Sequence, residues 1–206
     1  MTAYEYLKTN LEKEFKRYYG VEDEDFINGV AEAWMDDRHN SEHRFEIIRR
    51  YLPHAIKILD MASGCGTFVF YGLLHGHDAF GIEPEKWKNE FNAKKVDEYG
   101  YPEEWKGRFI ESRGERLPFE DACFDFVSTY QTLEHVDSIE DCLAEMLRVT
   151  VVGGGSAYML PGLSGYLRGP LPAAMAAVDA AAGSESLSAP NREAGRGPGG
   201  AQLYNG

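Results

Sequence analysis

The stretch from Ile56 to Met61 (IKILDM) runs directly into Ala62-Ser63-Gly64-Cys65-Gly66-Thr67, and this junction constrains the chain more than any other part of it. An apolar run of strand length, two glycines spaced two apart and an apolar helical stretch describe a strand that turns sharply into a helix. Gly64 and Gly66 let the backbone approach a ligand closely, where a Cβ would stand in the way. A strand, a Gly-x-Gly turn and an acid closing the next strand also describe a dinucleotide site. The third glycine of that fingerprint would fall at position 69, which is Val69. There is no Gly-Lys-Ser/Thr, so a P-loop is excluded. The acid at the end of the first strand, Asp60, precedes the turn and suits a ligand with a cation and amide-like groups better than a pyrophosphate.

Short apolar strands and helices alternate from Ala55 onward. The pattern predicts strands over Ile56–Met61, Ala79–Glu83, Arg108–Glu111, Phe124–Thr129 and Ser156–Leu160, with helices over Cys65–His75, Glu85–Tyr99 and Ser138–Val149, the last capped by Asp137 or Ser138. That alternation implies an α/β fold, a Rossmann-like, mostly parallel sheet of about five strands with right-handed crossovers and helices on both faces. A ligand crevice is expected at the carboxyl ends of the strands, where strand order reverses.

Two flanking regions differ from this core of residues 55–160. Residues 1–54 read as a helical extension: Tyr4, Leu7, Leu11 and Phe15 make one apolar stripe, Phe26, Val30 and Trp34 a second, and Phe45, Ile48 and Leu52 a third after Asn40-Ser41. These stripes either pack on the core or form a lid over a substrate pocket, with Tyr18, Tyr19 or Trp34 touching ligand. In residues 161–206, 28 of 46 residues are Gly, Ala, Pro or Ser, with one candidate helix over Pro172–Ala182 and a remainder too poor in large apolar groups to order itself. Three acids balance three arginines there, so the formal net charge of −13 belongs to residues 1–160. An acidic chain of this kind has no basic footprint for nucleic acid. No apolar run approaches the 18 or so residues of a membrane span, and no signal-peptide core is present at the N-terminus. Three cysteines without a CxxC pair fit a reducing, cytoplasmic setting.

Five segments, in order, give this chain its resemblance to the class I S-adenosylmethionine-dependent methyltransferases, in particular those related to ubiquinone and menaquinone biosynthesis. They are Asp60 to Gly66, Glu83, the run Glu115-Arg-Leu-Pro-Phe-Glu-Asp-Ala-Cys-Phe-Asp125, Leu133-Glu134-His135-Val136, and Glu145-Met-Leu-Arg-Val149 followed by Gly153-Gly154. The resemblance implies S-adenosyl-L-methionine as cofactor and a small-molecule methyl acceptor. It implies that Asp60, Ala62, Ser63, Gly64 and Gly66 form the cofactor turn, and that Glu83, followed by Pro84, holds the ribose hydroxyls. A carboxylate accepts two hydrogen bonds side by side, which is the physical reason for an acid there. Where the family often has an acid for adenine, this chain has Arg113, which leaves the Gly114 backbone or Glu115. Tyr130 and Gln131 follow the fourth strand and would wall the methionine end. Family members continue into a sixth and seventh strand. No pair of alternating apolar runs follows residue 160, so strand five is expected to be a sheet edge or to be covered by the tail helix, and an uncovered edge would invite a second copy.

Where an acceptor must lose a proton, Glu134 and His135 are the candidate bases after strand four. His135 also has a structural reading, at the start of the next element. Asp125 reads as a buried turn partner, His75 and His77 as loop residues rather than metal ligands, and Cys65 as a spacer in the turn despite its place at a helix N-terminus.

Overall fold

The computed structural model describes residues 1–39, 41–51, 57–160 and 163–168. Its core begins with β1 (Lys57–Met61), which enters α4 (Thr67–Leu74) and returns as β2 (Asp78–Ile82); α5 (Lys86–Tyr99) then leads to the two-residue β3 (Phe109–Ile110). After a long loop come β4 (Phe124–Tyr130), α6 (Ile139–Val149), β5 (Thr150–Leu160) and β6 (Leu163–Arg168). Helices α1 (Ala3–Tyr19), α2 (Glu24–Met35) and α3 (Ser41–Tyr51) precede it. The sheet order is β3-β2-β1-β4-β5-β6, with the first five strands parallel. Strand order reverses beside β1, whose neighbours are β2 and β4, and this places the expected crevice at the carboxyl ends of those three strands.

Strand alternation sorts the core into two layers. Ile58 and Phe126 face Phe45 and Ile48 of α3, Phe68 and Phe70 of α4 and Val96 of α5. Leu59, Met61 and Val127 face the other way, onto Leu117 and onto Cys142, Met146 and Val149 of α6. Helices therefore cover both faces, as the alternating pattern predicts. Ser138 is the cap of α6, its Oγ accepting the Asp141 N–H at 3.2 Å. The helix after the glycine turn starts later than expected, at Thr67, because Gly64 and Gly66 both hold left-handed φ values (53° and 75°) that a helix cannot contain.

One expectation is corrected. β5 is not an edge: β6 pairs with it antiparallel over Gly155↔Arg168 to Leu160↔Leu163. A hairpin partner needs only backbone groups in register, and the two residues between the paired ends, Pro161-Gly162 in sequence, are of the type that punctuates strands. The candidate helix over 172–182 and the start of β1 at Ile56 lie outside the described residues.

The N-terminal helices pack on the core. Leu7 and Leu11 of α1 are fully buried with Ile27 and Ala31 of α2, Phe91 of α5 and Cys65 of the glycine turn. Lys95 of α5, fully buried, donates to Asp37 Oδ1 at 2.6 Å and to the Met35 carbonyl at 2.9 Å, tying the end of α2 to α5.

Candidate functional site

At the carboxyl end of β1 the turn is built from backbone. Ser63 N–H donates to the Ile82 carbonyl at 2.8 Å and Gly66 N–H to the Ser63 carbonyl at 2.9 Å, while Ala62 takes a left-handed φ of 61°. A Cβ on Gly66 would stand 2.6 Å from Phe109 Cε1 and 2.9 Å from Asn92 Oδ1, so this glycine is demanded by packing. A Cβ on Gly64 would meet nothing within 4 Å, so its outer face is open. Cys65, between them, is 5% exposed beneath α1, and burial pushes its thiol pKa up, which makes it a packed spacer rather than a reactive group.

Glu83 closes β2 at 4% exposure and reaches this turn. Its Oε2 accepts the Gly64 N–H at 3.0 Å and its Oε1 the Glu85 N–H at 2.9 Å. Burial pushes the Glu83 carboxyl above the usual carboxylate range, opposed by Lys88 and by the two backbone N–H donors. Lys88 is itself half-buried. Although burial works against its charge, Glu83, Glu14 and Glu85 together hold its ammonium above the ordinary lysine value. Pro84, next to Glu83, is exposed. Asn92 Nδ2 donates to the Gly64 carbonyl at 3.2 Å, and its Oδ1 is buried without a partner.

Asp60 is 4% exposed and lies across from Ser128 in the β1–β4 register. Ser128 Oγ donates to Asp60 Oδ1 at 2.9 Å, and Arg44 of α3 forms an ion pair with the same oxygen while donating to Ser128 Oγ at 2.8 Å. The Arg44 guanidinium stacks 3.8 Å from the centre of the Phe68 ring and 5.4 Å from that of Tyr130. Asp60 thus meets the arginine of the chain itself, not an open face. Burial raises the Asp60 carboxyl, and Arg44 and Ser128 pull it back down.

The remaining candidates occupy the rim. Gly114 packs tightly on the end of β1, where a Cβ would stand 2.8 Å from Met61 Sδ. Glu115 is turned to the next loop and accepts the Asp137 N–H at 2.9 Å, and Arg113 pairs with the Asp137 carboxylate at 2.5 Å. Tyr130 is half-buried under Arg44, and Gln131 is exposed with a left-handed φ of 50°. Glu134 and His135 lie in a single 3-10 turn at the surface, with His135 Nε2 4.0 Å from Glu134 Oε1. Asp125 accepts the Lys57 N–H at 2.8 Å and so joins β4 to the start of β1. His75 stacks on Tyr71 and contacts its carbonyl at 2.7 Å; His77 lies against Phe45.

The structure brings together the turn, Glu83 and the end of β4, and it leaves Glu115 and His135 at the periphery. Sequence reading missed Arg44, which reaches Asp60 from α3, Asn92, which reaches Gly64 from α5, and Lys88, which pairs with Glu85 beside it and with Glu14 of α1. The arginine-rich end of α3 offered no spacing signal that would distinguish Arg44 from Arg49 or Arg50.

Comparison with known proteins agrees with the fold. Residues 59–157 match the model of a methyltransferase domain family. An uncharacterized methyltransferase of Mycobacterium marinum is 32% identical over 138 residues, which cover 67% of this chain and 48% of that protein. A counterpart in Mycobacterium sp. strain KMS is 28% identical over 138 residues, with 67% of this chain and 47% of that protein covered. The chain thus spans about half the length of the curated relatives it matches. Among solved structures, the PH0226 protein of Pyrococcus horikoshii OT3 superimposes with a TM-score of 0.52 at 23% identity, covering 59% of this chain and 56% of that one. A Methanococcus maripaludis protein assigned as an S-adenosyl-L-methionine-dependent methyltransferase gives 0.51 at 16% identity, covering 74% and 63%. No described helix is long and apolar enough to cross a membrane. With the glycine turn after β1 and the acid after β2 on a parallel sheet, residues 59–157 are similar to a methyltransferase domain and the core has a Rossmann-like methyltransferase fold.

Proposed function

We propose that this protein binds S-adenosyl-L-methionine at the β1–β2 end of the sheet and transfers its methyl group to a small-molecule acceptor. One observation carries the reading: the open-faced Gly64 and the buried Glu83 carboxylate meet at 3.0 Å, which sets a two-oxygen acceptor beside backbone with room in front of it. That combination fits a nucleoside, whose diol donates two hydrogen bonds side by side. Bound there, the cofactor supplies a methyl group already activated on a sulfonium.

The chain's own residues would then position and shield. Glu83 exchanges backbone N–H donors for hydroxyls, and Ala62, Ser63, Gly64 and Gly66 keep the turn close to the ligand. Pro84 and the Gly114 backbone flank the base. The Glu115 carboxylate, engaged with the Asp137 N–H, is less well placed for it than Gly114. Asp60 acts by holding Arg44, whose remaining N–H donors suit the methionine carboxylate. Tyr130 and Gln131 border that end, and Glu134 and His135 are the groups near β4 able to take a proton from an acceptor. The reading places the protein in the reducing cytoplasm, in keeping with its three free thiols.

Calorimetric titration of the folded chain with S-adenosyl-L-methionine tests the reading. Binding is expected for the wild type, with a loss of about tenfold or more, on the order of 1.4 kcal/mol, in Glu83→Ala and in Gly64→Val. A folded wild type that takes up no cofactor overturns it.

A further inference from the structure

The carboxyl-terminal half of α1 and the start of α5 frame a cleft of about 330 Å³. Lys13, Glu14, Arg17 and Tyr18 line it from α1, and Lys86 and Trp87 from α5. Lys13 and Arg17 are four residues apart and so share one side of the helix. In a chain with 34 acids against 21 bases, basic side chains readily find carboxylates, as Lys8, Lys16 and Lys88 do on the same two helices. Lys13 and Arg17 have no ion pair among the described residues; Arg17 only stacks over Tyr18 at 5.2 Å. Lys86 has Glu90 at 3.7 Å, a pairing of two well-exposed side chains that adds little.

The carboxylates of the cleft are not equivalent. Glu85 is committed, accepting from Trp87 Nε1 at 2.9 Å and pairing with Lys88 at 3.1 Å. Glu14 has one oxygen 4.0 Å from Lys88 and the other, Oε2, buried with no hydrogen-bond partner. A buried acceptor of this kind is costly unless a donor meets it. That oxygen is shielded from solvent, so what the cleft presents is two cations without a carboxylate partner, beside the rings of Tyr18 and Trp87. It adjoins the cofactor turn through Glu85, whose N–H holds Glu83.

We infer that this cleft binds a ring-bearing small molecule with one anionic group, the anion against Lys13 and Arg17 and the ring beside Tyr18 and Trp87. That this molecule is the methyl acceptor rests on the methyl-transfer reading; the binding itself does not. The probes are 4-hydroxybenzoate, phenyl phosphate and the neutral 4-hydroxybenzyl alcohol, followed through the indole N–H resonance of Trp87 in the full chain. A saturable shift is expected with at least one of the anions, and the tighter of the two identifies the anion as carboxylate or phosphate. The alcohol should bind about tenfold or more weakly. Lys13→Glu/Arg17→Glu should lose the shift, and Lys13→Ala/Arg17→Ala should weaken it, while cofactor affinity by calorimetry stays unchanged in both. The inference is overturned if neither anion gives a saturable shift, if the alcohol binds as tightly, or if the double variants bind anion like the wild type. Absence of cofactor binding in the wild type would instead strike the methyl-transfer reading and leave the anion site to stand on the resonance data.

Discussion

At the residue scale, Gly64 and Gly66 look alike in sequence but do different work in the fold. Both hold left-handed φ values, so either alanine costs about 1–2 kcal/mol from backbone conformation alone. Gly66→Ala adds a clash with Phe109 and Asn92, worth about 1–3 kcal/mol more, whereas Gly64→Ala meets open space. Denaturant unfolding should therefore rank Gly66→Ala as clearly the less stable, and calorimetry should show Gly64→Ala losing cofactor affinity out of proportion to its stability. Equal stabilities would mean the turn relaxes around position 66. The type and order of these residues were legible in the chain, because a strand, a glycine turn and an acid after the next strand form a local pattern. Arg44 was not, since what selects it is a carboxylate brought near by folding, and Lys88 read as one more lysine on a charged helix until folding added Glu14 to its neighbours.

At the element scale, the five parallel strands and their crossover helices follow from apolar periodicity, and the observed boundaries move by one or two residues except at β5. That strand starts at Thr150, directly after α6, and runs through Gly153 to Gly155, a stretch whose poor strand propensity concealed it. β6 escaped for a related reason: six residues in a Gly/Ala/Pro-rich region gain their strand character from the backbone of β5. The apolar stripe of α1 announced a buried face without naming its partner. The partner includes Cys65 in the glycine turn. Leu11→Ala should consequently destabilise the protein by about 2–5 kcal/mol in urea unfolding and also weaken cofactor binding. A variant that loses stability but binds normally would show that α1 supports the fold without shaping the turn.

At the scale of the whole molecule, burial pushes four carboxyls, Glu14, Asp37, Asp60 and Glu83, above their ordinary values. A group whose folded pKa is raised keeps a proton that the unfolded chain has already released, so its contribution is present at low pH and is lost as pH rises through the folded value. Between the usual carboxylate range and neutrality these acids oppose stability. Glu145, held low by its hydrogen bonds to Arg148, works in the opposite sense. Glu83→Gln removes one of the four, so its stability relative to the wild type should improve on going from near pH 5 to about pH 8 in urea melts. A difference that is flat or falls with pH would show that Glu83 titrates normally in the folded chain.

Arg44 has one more implication. A single guanidinium rivets the third N-terminal helix to the tips of two neighbouring strands, through Asp60 on one and Ser128 on the other. Sliding that helix would drag on the polar grip at the strand ends, so a swap of the amino-terminal region between relatives would disturb the ends of β1 and β4 unless both halves of the rivet travelled together.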